Sequence, residues 1–278
     1  MEARVHQVPA ADGVTLAVEE YGAPGGAATI VFLPALGVPV AYYRPLFRAW
    51  ATAGRHVVGV ELRGMPQSPV PDLRRASFGY AHLVREDLPA IFSAPAVTGA
   101  AKVVLVGHSL GGQLALLSGA TGTVRPDAVV TIATGTSSPF ARRGRLARAQ
   151  RAAGVRFIAA VTRSLGYWPG HRLGFAGRQP RVMMADWVYE ARHGRFRLRG
   201  DGTDYEAALG VLAVPTLLVE IAGDRMVPRA AVDHLAARLP AGVDRATIDA
   251  VPHHFRWARG SPERVIAGVE TWLSGQAL

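Results

Sequence analysis

Along the chain, hydrophobic and polar positions alternate in two rhythms. Short apolar runs at residues 5–8, 15–20, 28–33, 56–60, 102–106, 128–132, 216–221 and 246–251 predict strands. The later runs are rich in Val, Ile and Leu, as parallel strands covered on both faces require, whereas VTLAVEEY alternates and predicts an edge or antiparallel strand. Residues 42–53, 78–92, 111–121, 230–239 and 262–273 place apolar side chains at three- and four-residue spacing and predict helices, several starting just after Pro or Ser. This alternation implies an α/β fold: a mostly parallel sheet of eight strands with helices on both faces.

One segment breaks the rhythm. About 80 residues separate the run ending near Thr134 from the one beginning near Pro215, far more than a strand connection needs. Residues 136–210 are therefore expected to form an inserted helical cap, with 1–135 and 211–278 forming the core. Within the insertion, 146–165 and 181–192 read as helices, while GYWPGHRLGFAGRQP is too rich in Gly and Pro to be either element.

Composition narrows the chemistry. There is no cysteine, which excludes disulfides, thiolate nucleophiles and Cys-ligated metal. No apolar run reaches 18 residues and MEARVHQVPA lacks the pattern of a secretory signal, so a cytoplasmic protein is expected. The formal charge is +10, and residues 141–199 alone hold 14 arginines against Asp186 and Glu190, a net +12. No zinc-finger, RNP or helix-turn-helix signature accompanies that charge, so no nucleic-acid partner is expected. Lys102 is the only lysine, which makes the arginine excess read as a coding bias on a solvated surface. RRGRLARAQRAAGVRFIAAV could lie at a lipid interface through Leu146, Phe157, Ile158 and Val161, but reads as a solvated helix face, and no membrane contact is expected.

Candidate chemistry gathers where strands end. In VVLVGHSLGGQLAL a strand runs into Gly107-His108-Ser109-Leu110-Gly111 and straight on into a helix. A serine at such a turn is held proud of the sheet in a strained conformation, with small residues beside it letting strand and helix approach. A serine hydroxyl needs a base, and the base needs a group to fix its tautomer. Asp224 follows the seventh strand in PTLLVEIAGDRMVP, and His253 and His254 follow the eighth in ATIDAVPHHFRW. His108 is expected to pack beneath the serine, its side chain turned away from substrate.

Gly107-His108-Ser109-Leu110-Gly111-Gly112, Ala222-Gly223-Asp224 and the histidine pair resemble the α/β-hydrolase superfamily, in chain order and across the whole length. Leu62-Arg63-Gly64…Ser68 resembles that family's Arg-Gly-x-Gly-x-Ser loop, with Pro66 where a glycine usually stands. More narrowly, the chain looks like the serine-aminopeptidase-like group of predicted hydrolases. The resemblance implies Ser109 as nucleophile, Asp224 as the acid, and His254 over His253 as base, because His254-Phe255 precedes Pro262-Glu263 as in similar sequences. It also implies an oxyanion hole from the N–H groups of Leu110 and Leu36, although Pro34-Ala35 stands where His-Gly is usual.

The expected activity is hydrolysis of a small-molecule carboxylic ester through an acyl-enzyme, with no metal and no cofactor. Thioesterase and aminopeptidase chemistry use the same parts, and a non-catalytic ligand-binding relative is the alternative of another class. The insertion is expected to choose the substrate, through its arginines or through Tyr167, Trp168, Phe175, Trp187 and Tyr189, which could equally serve only to hold it together.

Overall fold

The computed structural model describes residues 2–25 and 27–278. Eight strands form one sheet: β1 (Arg4–Pro9), β2 (Thr15–Tyr21), β3 (Thr29–Leu33), β4 (Val57–Val60), β5 (Val103–His108), β6 (Ala128–Ile132), β9 (Thr216–Ile221) and β10 (Asp244–Ile248). β7 (Tyr167–Pro169) and β8 (Arg178–Pro180) form a separate hairpin. The sheet order is β1-β2-β4-β3-β5-β6-β9-β10. β2 runs antiparallel to both of its neighbours, and every pairing from β4 onward is parallel. The alternation in VTLAVEEY thus signals antiparallel pairing, yet β2 is not an edge: all but its first residue are buried. β3, β5, β6 and β9 are buried throughout, with Thr29, His108, Thr131, Thr216 and Glu220 buried among their Val, Ile and Leu.

Helices cover both faces. The principal ones are α1 (Arg44–Thr52), α2 (Tyr80–His82, continuing as Leu83–Asp87 and Leu88–Phe92), α3 (Leu110–Ala120), α4 (Arg145–Leu165), α5 (Arg181–His193), α6 (Tyr205–Gly210), α7 (Arg229–Ala236) and α8 (Pro262–Gly275). Two apolar cores result, one on each face. On one, Phe32, Tyr43, Phe47 and Trp50 make an aromatic cluster with ring centroids 4.8 to 6.5 Å from Phe32. Gly59 is required there, because a Cβ would lie 2.4 Å from the Phe47 ring. α2 carries a π-turn in which the Leu88 N–H reaches back to the Leu83 carbonyl. Pro89, which follows, has no N–H to continue the ordinary ladder.

Element ends differ from the sequence reading where tertiary contacts decide them. β5 extends two residues past its predicted end because Gly107 and His108 keep pairing with Thr131 and Ile132 of β6. β10 stops at Ile248 rather than residue 251, since Ala250 turns its N–H back onto the Ile248 carbonyl and the chain leaves the sheet. GYWPGHRLGFAGRQP is not structureless: Trp168 pairs with Gln179 across the β7–β8 hairpin. Its glycines serve tight turns, and a Cβ on Gly170 would sit 1.7 Å from the Phe175 carbonyl oxygen. α6, capped by the Asp204 side chain accepting from Ala207 N at 3.0 Å, is too short to announce itself by periodicity.

The loop after β4 is a clamp. Ser68 Oγ donates to the Glu61 carbonyl at 2.8 Å and accepts from Ala17 N at 2.9 Å. Gly64, at φ +82°, donates to the Ser68 carbonyl at 2.8 Å. The buried Arg63 guanidinium grips both oxygens of buried Asp87 and also pairs with Asp12. Removing one partner of such a pair leaves a buried charge without compensation, so Arg63→Ala is expected to lower unfolding free energy by about 3–5 kcal/mol, read by denaturant titration.

Candidate active site

The C-terminal ends of β3, β5, β6, β9 and β10 meet over one pocket of about 90 Å³. Ser109 sits between β5 and α3 with φ +55° and ψ −112°. A non-glycine residue at positive φ stores strain, of order 1–3 kcal/mol, that only its surroundings can hold. Here they do: Ser109 N donates to the Ile132 carbonyl at 3.0 Å, and Thr134 Oγ1 donates to the Ser109 carbonyl at 3.2 Å. Three glycines make the turn sterically possible. A Cβ on Gly107 would come within 2.2 Å of the Gly111 backbone, one on Gly111 within 2.1 Å of the Leu33 carbonyl, and one on Gly112 within 2.1 Å of Thr134 Oγ1.

His254 and Asp224 form a buried pair, with Nδ1 2.8 Å from Oδ2. The other Asp224 oxygen accepts from the backbone N–H of Met226 at 2.8 Å and Val227 at 3.2 Å, which fixes the carboxylate. Trp257 Nε1 donates to the His254 carbonyl at 2.8 Å and fixes the loop. His253 is exposed and points elsewhere, its Nδ1 accepting from Phe255 N at 3.2 Å. Ser109, His254, Leu110 and Leu36 line the same pocket.

Leu110 begins α3, so its N–H has no carbonyl one turn earlier in the helix. Leu36 N–H likewise has no acceptor among the described residues, whereas Ala35 N is already committed to Tyr43 Oη at 3.1 Å. Gly37, at φ +71°, turns the chain after Leu36, and a Cβ there would lie 2.1 Å from the Ala176 carbonyl oxygen. The loop after β3 is thus seated against the insertion.

His108 lies beneath the site, fully buried, and does not line the pocket. Its Nδ1 is 2.7 Å from Tyr43 Oη. That hydroxyl also accepts from Ala35 N–H, so it bridges the loop after β3 to the His108 ring. Burial, with His254 beside it, pushes its pKa well below the ordinary histidine value, so it stays neutral. Its ring stands 4.8 Å from that of His254 and 5.1 Å from Trp257. Tyr43 therefore ties the loop bearing Leu36 to the support under His254, a link no sequence spacing announces.

The insertion closes the pocket with Arg151, Gly174, Phe175, Ala176 and Trp187. Of the five aromatics named from sequence, Phe175 and Trp187 face the pocket, with ring centroids 5.2 Å apart. Trp168 anchors the hairpin through Nε1 to the Phe175 carbonyl at 2.8 Å. Of the 14 arginines in residues 141–199, Arg151 alone lines this pocket. Its Nε donates to the Ser137 carbonyl at 2.8 Å, while Glu190 accepts from Ser137 N at 3.1 Å with each oxygen. Among the described residues no group of three His, Asp or Glu side chains is placed to hold a metal ion.

Burial raises the Glu190 carboxyl to about 7, against an ordinary value of 4.5. A carboxyl raised in the folded state resists ionisation there, so its contribution to stability falls as pH rises from the unfolded value through 7. Glu190→Gln, which keeps an acceptor for Ser137, is expected to flatten that part of the profile. Melting temperatures of both proteins between pH 5 and 8 test this: parallel curves would show that Glu190 does not titrate there.

The model of the alpha/beta hydrolase family matches residues 30–267. The chain belongs to the alpha/beta hydrolase family. None of the curated proteins matches this hydrolase family member by sequence. Solved structures share its fold at low identity. A candidate aryl esterase from Burkholderia cenocepacia superposes with a TM-score of 0.65 at 19% identity, covering 99% of each chain. Haloalkane dehalogenase DbeA from Bradyrhizobium elkani gives 0.65 at 20% identity, again over 99% of each. The thioesterase domain of the curacin biosynthetic pathway gives 0.64 at 12% identity, covering 98% of this chain and all of its own. These likenesses establish an α/β-hydrolase fold with a mostly parallel sheet, one that hosts several hydrolytic chemistries.

Proposed function

We propose that the protein is a serine hydrolase that cleaves small carboxylic esters through an acyl-enzyme, with residues 136–210 as its cap. The carrying observation is the convergence on one pocket of a strained Ser109, a histidine oriented by a buried carboxylate, and two N–H groups without acceptors among the described residues. Ser109 Oγ attacks the ester carbonyl as His254 Nε2 takes its proton. Asp224, on Nδ1, holds the tautomer and stabilises the imidazolium. The N–H groups of Leu110 and Leu36 receive the oxyanion. Collapse of the tetrahedral intermediate breaks the bond to the leaving alcohol, which leaves with the proton from His254. Water, deprotonated by His254, then attacks the acyl-serine; collapse restores the Ser109 hydroxyl and frees the acid.

Chemistry separates this reading from that of the dehalogenase neighbour. A serine alkylated by a haloalkane would become an ether, which these groups cannot clear, whereas an acylated serine is an ester that the same base and oxyanion donors hydrolyse. The pocket's small volume also supports short acyl groups, since it lies far below the roughly 300–1,000 Å³ of sites for drug-sized ligands. A fluorophosphonate probe is expected to label Ser109, and p-nitrophenyl esters to be hydrolysed with rates that fall as the acyl chain lengthens and exceed those for matched anilides. Labelling mapped to another residue would overturn the assignment.

A further inference from the structure

Most of the insertion's arginines do not face the pocket, and where they go is informative. Residues 128–185 contain ten arginines and no Asp or Glu. Of the two carboxylates that follow, Glu190 holds Ser137, and Asp186, the one carboxylate lining the groove described next, is buried and accepts from the N–H of Tyr80 and of Arg199, each at 3.0 Å. Between α4 and α5 runs an open groove of about 840 Å³, lined by Arg156, Arg163, Arg181, Arg192, Arg197 and Arg199. None of these six makes an ion pair among the described residues, and all are exposed.

Beside the groove lies apolar surface. Eight large hydrophobic side chains are exposed among the described residues, and five belong to this one segment: Phe140, Leu146, Phe157, Leu165 and Leu173. At about 100° per residue, Leu146, Ala153, Phe157 and Ala160 of α4 fall in one stripe about 60° wide. All four are exposed, while Val155 and Ile158 face the interior. Arg145, Arg156 and Arg163 form a row about 90° to one side of that stripe. The sequence suggests a solvated face for this helix; the fold leaves Leu146 72% and Phe157 55% exposed, with guanidinium groups alongside that make no salt bridge among the described residues.

We propose that the outer face of α4, with the arginine groove beside it, docks on an anionic membrane surface. Aliphatic and aromatic side chains next to a row of cations suit the boundary where acyl chains meet headgroup phosphates, and neither bulk water nor a soluble phosphate compound accounts for both. Leu173, exposed, immediately precedes Gly174, which lines the Ser109 pocket. This inference goes beyond the hydrolase reading and does not depend on it.

Sedimentation of the whole protein with vesicles tests it. Vesicles of phosphatidylcholine with about 30% phosphatidylglycerol are expected to bind the protein, and pure phosphatidylcholine to leave it in solution. Arg156→Gln with Arg163→Gln should weaken binding about 25-fold, about fivefold for each charge. Leu146→Ser with Phe157→Ser should weaken it by at least about tenfold. These positions are exposed, so melting temperatures should stay near that of the parent. Failure to bind the anionic vesicles would overturn the proposal. So would binding that the arginine pair controls but the apolar pair leaves unchanged, or that inorganic pyrophosphate abolishes in both, because the groove would then be a site for soluble anions.

Discussion

Ser109→Ala is expected to lower kcat for a p-nitrophenyl ester by a factor on the order of 10⁵ to 10⁶ and to abolish fluorophosphonate labelling. The size follows from how the groups are assembled. On the proposed mechanism, the N–H groups of Leu110 and Leu36 and the His254–Asp224 pair keep their positions without the hydroxyl, so what disappears is the attacking atom and with it the acyl-enzyme route. Residual hydrolysis by water, helped by the N–H groups of Leu110 and Leu36, sets the floor. A second variant guards against misreading a folding defect. Ser109→Gly should be equally inactive yet raise stability by about 1–3 kcal/mol, because glycine tolerates the φ of +55° that serine holds under strain. Retained activity in both would show that the elbow is structural and that another nucleophile is at work.

His254→Ala is expected to reduce kcat by on the order of 10⁴ or more, and Asp224→Asn by about 10⁴, since without the carboxylate the imidazole loses its tautomer and the stabilisation of its charge. His253→Ala, by contrast, should leave kcat within about a factor of two, because that side chain is exposed and only accepts from the following turn. Combining Ser109→Ala with His254→Ala should add little to either alone, as groups that act as one unit are not additive. Steady-state rates across the four variants decide the matter. An inactive His253→Ala beside an active His254→Ala would exchange the two assignments, and would require the loop after β10 to adopt another conformation in solution.

The fold is legible in the sequence because its signals are local. Runs rich in Val, Ile and Leu fix strands buried on both faces, and the order of apolar periods fixes their alternation with helices. The turn at Ser109 was legible for the same reason: the glycines at 107, 111 and 112 lie within a few residues of the serine whose strained turn they permit. Adjacent side chains such as His253 and His254 look alike to any reading of spacing. They separate only when the loop after β10 folds and sends one of them to Asp224, thirty residues away in sequence.

Contacts across long separations were beyond the sequence. Tyr43 reaches both Ala35 and His108, and Glu190 and Arg151 grip Ser137 from two helices, yet no periodicity relates these positions. The proposed oxyanion role of Leu36 rests in the sequence on resemblance alone; that its N–H has no acceptor among the described residues, and that Gly37 fits against Ala176, are tertiary facts. The same division runs through the insertion. Its charge and its two long helices are properties of neighbouring residues and follow from the sequence. Which face of α4 is buried, and so whether its arginines look into the pocket or outward, depends on how the helix rolls against α5 and the core. Helical periodicity fixes the angle between side chains on one helix but not the direction in which the helix as a whole is turned. That orientation is set by packing against residues distant in the chain, and only the tertiary structure decides it.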